Sequence, residues 1–108
     1  MKRGTVVWID LSDASPPEMG KRRPAVVVSS DMFNATLGTA VVVPLSSRPP
    51  EILPLRVRVG LSKSKQPSFA VVPGIRQIKL TRVLGTVGDL SVADLDRVDE
   101  AIRGYLFN

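Results

Sequence analysis

In Gly20-Lys21-Arg22-Arg23-Pro24-Ala25-Val26-Val27-Val28-Ser29-Ser30, three consecutive cations stand between a glycine-bearing loop and a proline-initiated run of β-branched residues. Valine is stiff at χ1 and packs well on a pleated surface, so Pro24 to Ser30 reads as a strand. Its nearly continuous apolar middle predicts burial on both faces. The cations are then held at the mouth of a strand, not spread along a solvated helix. Arg23 is the most constrained of the three, because a pre-proline residue is pushed toward extended geometry and its neighbour has a fixed φ. A guanidinium fork leaving the backbone in a restricted direction suits phosphate oxygens. The same cluster is also compatible with a solvated basic turn before a core strand.

Working outward, Gly4-Thr5-Val6-Val7-Trp8-Ile9-Asp10-Leu11 is the first strand by its β-branched and aromatic content. A lone Trp in a small β domain belongs more often to the core, which is the expectation for Trp8; stacking on a nucleic-acid base is the alternative. Residues 12–21, with Asp13, Ser15, Pro16, Pro17, Glu18 and Gly20, carry loop chemistry, and loops of that length often carry function. Glu18 is the loop acid nearest the Arg cluster; an ordinary surface ion pair with Lys21 or Arg22 is its plain reading.

Beyond Ser30, residues 31–38 read as a short helical turn or loop with Gly38 as its exit. Residues 39–47 form a third strand whose Pro44 suggests an edge or a bulge. Ser46-Ser47-Arg48-Pro49-Pro50 puts two hydroxyls and a cation at that strand's polar end, a turn by default and a functional cluster only if it lies beside Arg23. Leu55-Arg56-Val57-Arg58-Val59 alternates with period two, which gives one basic and one apolar face. Gly60 to Pro67 is a basic loop. Ser68 to Val72, Ile75 to Leu80 after a Pro73-Gly74 break, and Val83 to Val87 complete the strands. Strands at this spacing without intervening helices suggest a small barrel or two packed sheets. The closing segment is helical: Ser91 is placed to cap it, acids fill its first turns, and Leu95, Val98, Ile102, Tyr105 and Leu106 share one face.

The totals narrow the chemistry. A chain of 108 residues is read as a single domain with one modest core, residues 1–108. It contains no Cys and no His, so disulfides, thiol nucleophiles, the commonest general base and the commonest transition-metal ligands are all unavailable. The formal net charge is +5, and residues 1–90 hold thirteen Lys/Arg against six Asp/Glu while residues 91–108 hold two against four. The basic face therefore belongs to the body of the domain, as expected for a polyanion partner. No apolar run approaches the length of a membrane span, and a cytoplasmic protein is expected.

Taken in order, Arg3-Gly4-Thr5-Val6-Val7-Trp8-Ile9-Asp10, Glu18 ahead of Gly20 and Arg23-Pro24, Ala25-Val26-Val27-Val28-Ser29, Val42-Val43-Pro44-Leu45-Ser46-Ser47, Ile75-Arg76-Gln77-Ile78 and the closing helix resemble the MazF/PemK family of toxin endoribonucleases over essentially the whole chain. The resemblance implies a mainly β fold, a small SH3-like barrel of the CcdB/PemK type with one C-terminal helix, assembled as a homodimer. It implies cleavage of single-stranded RNA, messenger RNA foremost, without metal or other cofactor. It also implies a cognate antitoxin partner whose acidic, partly disordered segment covers the RNA groove.

By the family's pattern Arg23 is the central catalytic residue, and Ser46 stands where the family places a catalytic Thr or Ser. Glu18 is the candidate base or the group that orients Arg23. Lys21, Arg22, Ser30, Ser47, Arg48, Arg76 and Gln77 are the candidates for holding RNA; no residue is expected to bind metal. The chain departs from the pattern at two places. Some relatives carry an acid followed by Gln where Pro73 and Gly74 stand, and Met19 replaces the Gln that frequently follows the loop acid. Two other readings share the scaffold: a CcdB-like toxin directed at DNA gyrase, against which the Glu18, Arg23-Pro24 and Ser46 pattern argues, and a relative that binds RNA or antitoxin without cutting.

Overall fold

The β-branched runs become seven strands: β1 Thr5–Asp10, β2 Arg22–Val27, β3 Thr39–Ser46, β4 Arg56–Val59, β5 Ser68–Val71, β6 Arg76–Lys79 and β7 Val83–Asp89. Two α-helices, α1 Asp31–Leu37 and α2 Val92–Phe107, interrupt and close them. This computed structural model describes residues 1–61 and 63–108; within the basic loop of residues 60–67, Ser62 lies outside the described residues. Every pairing is antiparallel, in the order β4-β5-β3-β2-β1-β7, with β6 added to β3.

β2 begins two residues earlier than its sequence suggests. Arg22, Arg23 and Pro24 pair with Asp10, Ile9 and Trp8 of β1. The cations are thus strand residues, fixed in register, and not part of the approach to a strand. Lys21 makes the turn into β2 at φ +69 and accepts a hydrogen bond from the Leu11 amide at 2.8 Å. The left-handed conformation is uncommon for a residue with a side chain.

Pro44 does not mark an edge, since β3 pairs with three other strands. On one flank it pairs with β2. On the other it pairs with β6 from Thr39 to Val42 and with β5 at Leu45 and Ser46. Pro44 falls at the step between these two partners, where the amide it lacks is not required by the ladder.

Alternation along β1 and β2 builds a core on each side of the sheet. Val6 and Val26 join Val43, Leu45, Val57, Val59 and Val72 under α2, where Val98 and Ala101 close the cluster. Val7, Ile9, Ala25 and Val27 join Ala40, Val42 and Ile78 on the other face. Both-face burial of β2 follows from its continuous apolar run, and each fully buried valine is worth about 1.5–3 kcal/mol relative to exposure.

Both helices are capped as their sequences allow. Ser30 caps α1, accepting from the Phe33 amide at 3.4 Å, and Gly38 ends it at φ +67. Ser91 caps α2, accepting from the Asp94 amide at 3.1 Å. Leu95 and Ile102 pack against the core as expected, but Tyr105 and Leu106 stay exposed because that core reaches only to Ala101 and Ile102. Among the described residues, no helix is long and apolar enough to cross a membrane.

Candidate catalytic site

β2 and β3 run side by side, with Ala25 opposite Pro44, so the start of one strand and the end of the other lie together. This brings Arg22 and Arg23 beside Ser46, Ser47 and Arg48, around a cavity of about 370 Å³ that Trp8, Pro24, Leu45 and Ser68 complete. The Ser46-Ser47-Arg48 turn therefore lies beside Arg23. Arg23 donates from Nε to the Gly20 carbonyl at 2.9 Å. That bond fixes the plane of the guanidinium and leaves its two terminal nitrogens for a ligand. Ser46 Oγ accepts from the Arg48 amide at 3.1 Å, so the hydroxyl proton remains available to donate.

The wall behind Arg48 is braced from below. Arg56, a half-exposed residue of β4, donates to the Arg48 carbonyl and lies 6.0 Å from the centroid of the Phe69 ring. Its period-two placement beside Arg58 was legible; its service to the site was not, because it depends on the loop of residues 47–55 folding back.

Glu18 lies elsewhere. With Pro17, Met19, Pro73, Gly74, Ile75, Arg76 and Gln77 it lines a second cavity of about 460 Å³. Ser68 at one end of β5 lines the first cavity and Val71 at the other end lines the second. Three residue steps of strand place the two roughly 10 Å apart. Glu18 makes no ion pair among the described residues, and the Gly20 carbonyl performs the orienting role expected of it. Arg76 is drawn toward Asp13 at 3.5 Å, and Gln77 donates from Nε2 to Thr39 Oγ1 at 3.1 Å.

Asp13 ties the early loop to the segment that leads into β7. Arg82 meets it with both terminal nitrogens, Nη1 to Oδ1 at 2.8 Å and Nη2 to Oδ2 at 2.9 Å. Those bonds, chiefly, hold the Asp13 carboxyl below the usual carboxylate range. Asp10 is likewise lowered, first by its hydrogen bonds with Ser12 and then by Arg22 and Arg82.

Two expected RNA-contacting residues fall outside both cavities. Ser30 is used as the α1 cap, beyond the opposite end of β2 from Arg22 and Arg23, and Lys21 is an exposed turn residue. Trp8 reverses the expectation of a core residue. It shares the face of Val6, but the cover supplied by α2 does not extend over it, and it is 41% exposed.

A profile described as PemK-like, MazF-like toxin of type II toxin-antitoxin system matches residues 2–106. Endoribonuclease MazF9 of Mycobacterium tuberculosis is 34% identical over 113 residues, covering 98% of this chain and 96% of its own. Endoribonuclease EndoA of Bacillus subtilis is 29% identical over 106 residues, covering 95% and 91%. Among solved structures, MazF (Form-I) from Deinococcus radiodurans superposes with a TM-score of 0.86 at 21% identity, over 98% of this chain and 96% of that one. An endoribonuclease in complex with its cognate antitoxin, from a mycobacterial species, gives 0.81 at 21% identity, over 98% and 94%. At that identity these two structures establish the shared fold: a mainly β sheet of seven antiparallel strands with a C-terminal helix.

Proposed function

The chain belongs to the PemK-like, MazF-like toxin family, and from that premise we propose that it is the toxin of a type II toxin–antitoxin system, an endoribonuclease that cuts single-stranded RNA without metal. The observation that carries the reading is the convergence of Arg23 and Ser46, from different strands, on one basic cavity. With neither His nor Cys in the chain, the machinery at this cavity is built from Arg and Ser.

Metal-free cleavage uses the nucleophile that RNA carries. The 2′-hydroxyl attacks the adjacent phosphorus as it gives up its proton to solvent water, and the bond to the 5′-oxygen breaks as that oxygen takes a proton from water. The products are a 2′,3′-cyclic phosphate and a 5′-hydroxyl end. The protein aligns the attack and stabilises charge on the phosphorane oxygens. Arg23 does the second: a guanidinium holds its proton too tightly to serve as an acid, and its free terminal nitrogens match two phosphoryl oxygens. Ser46 donates to a phosphoryl oxygen. Arg22, Ser47 and Arg48 hold the flanking backbone. An extended single strand crossing from one cavity to the other places the next nucleotide against Glu18, Arg76 and Gln77, so Glu18 contacts that neighbour and not the reacting phosphate.

The acidic antitoxin segment expected from the family fits the same basic cavity by charge. Exposed apolar side chains on α1 (Met32, Phe33, Leu37) and at the end of α2 (Leu106, Phe107) support assembly as a homodimer; action in the cytoplasm belongs to the same proposal. The test is to incubate the purified protein with a long single-stranded RNA in EDTA and map the 5′ ends of the fragments. Discrete cuts leaving 5′-hydroxyl ends are expected; intact RNA from folded protein refutes the reading.

A further inference from the structure

The one tryptophan of the chain stands exposed at the lip of the Arg23–Ser46 cavity. Its surroundings leave it accessible. Its partner across β2 is Pro24, and its partner across β7 is Gly85, which has no side chain and open space where a Cβ would stand. A flat aromatic surface is thus flanked by a proline ring on one side and by bare strand on the other, beside Arg22 and Arg23.

We propose that Trp8 is a stacking platform for a nucleobase of the RNA, adjacent to the phosphate held by Arg23 and Ser46. The inference rests on the RNA-cleaving reading above and adds a binding residue to it. Every base has a π-face, so stacking supplies affinity with little preference for sequence, while the neighbouring cations supply the phosphate contacts. The division of labour follows from position: Trp8 grips the strand through a base, and Arg23 acts on the phosphate. Backbone register sets their spacing, since Trp8 pairs with the residue next to Arg23.

A single tryptophan makes the test direct, because fluorescence excited beyond the absorption of Tyr105 reports this side chain alone. The probe is a short RNA spanning a cut mapped with the wild-type protein, carrying 2′-deoxyribose at the nucleotide whose hydroxyl attacks, so that it binds without being cut. Saturable quenching is expected on titration. Trp8→Ala should bind the probe about tenfold or more weakly and raise KM for the all-RNA substrate more than it lowers kcat, and Trp8→Phe should recover most of the loss. Unchanged probe affinity in folded Trp8→Ala overturns the proposal and leaves the nuclease reading standing, as does a defect confined to antitoxin binding. Should Trp8→Ala fail to fold, the wild-type titration and Trp8→Phe decide: absence of quenching overturns it. A wild-type protein that neither binds nor cuts any RNA removes the nuclease reading, and the stacking proposal with it.

Discussion

Replacing Arg23 by Ala separates the catalytic role of its guanidinium from its structural one. The structural loss is small: a single hydrogen bond, Nε to the Gly20 carbonyl at 2.9 Å, worth about 0.5–1.5 kcal/mol. For a domain of this size that lowers Tm by roughly 2–10 °C, which leaves the variant folded if the wild type has ordinary stability. The catalytic loss is larger. Removing one preorganised donor to developing oxyanion charge costs about a hundred- to a thousandfold in kcat, or about 2.7–4 kcal/mol. Arg23→Lys keeps the charge but forfeits the Nε anchor and the two-nitrogen fork, so it should fall between the wild type and Arg23→Ala. The assay is single-turnover cleavage of an RNA oligonucleotide spanning the mapped cut, with enzyme in excess and EDTA present, beside thermal unfolding of each variant. A folded Arg23→Ala protein cutting within threefold of the wild-type rate would refute the assignment.

Ser46→Ala should slow single-turnover cleavage in the same direction but by less, on the order of tenfold, and Ser46→Thr should retain the hydroxyl and most of the rate. Gly74→Ala should lower Tm measurably, because a Cβ there would stand 2.7 Å from Pro44 Cγ and overpacking costs about 1–3 kcal/mol; unaltered stability would show that the contact yields freely. Asp13 predicts an acid limb. With its carboxyl lowered chiefly by Arg82, its stabilisation is complete above the ordinary carboxylate range of about 3.9 and fades as pH falls through the lower folded value. Tm measured from pH 6 to pH 2.5 should therefore drop less steeply for Asp13→Asn, and the effect should be modest because the pair is solvent-facing.

The strands were legible because each rule that located them is local. Period-two alternation gave β4, the unbroken valine run gave a doubly buried β2, and Ser91 with its following acids gave the start of α2. What was missed depended on which strand lies beside which. Pro44 looks like an edge until β6 and β5 are seen to share one flank of β3 on either side of it. Trp8 looks like core because a lone Trp in a small β domain usually is, and only the limited reach of α2 distinguishes it. The site followed the same division. Arg23 is informative from its own neighbours, whereas its meeting with Ser46 required the register of β2 against β3. The separation of Glu18 from that meeting required the path of the whole early loop.

The two places where the chain departs from the expected family pattern lie side by side. Met19 is in the early loop and Gly74 follows β5, far apart in sequence, yet a Cβ at Gly74 would lie 3.3 Å from Met19 Sδ as well as against Pro44. The second cavity is therefore walled on one side by Pro17, Met19, Pro73 and Gly74, an apolar surface in which no side chain can ionise. Its polar groups are Glu18, Arg76 and Gln77, and Arg76 is already shared with Asp13. Under the proposed reading, a nucleotide entering there meets a flat apolar wall on one side and a carboxylate and an amide on the other. Discrimination then rests on the few donors and acceptors that remain, since a hydrophobic surface rejects a misfitting base weakly while a polar group left unpaired beneath the bound base rejects it strongly. On that proposal, base preference is decided at Glu18 and at Gln77, whose amide already donates to Thr39 Oγ1 at 3.1 Å.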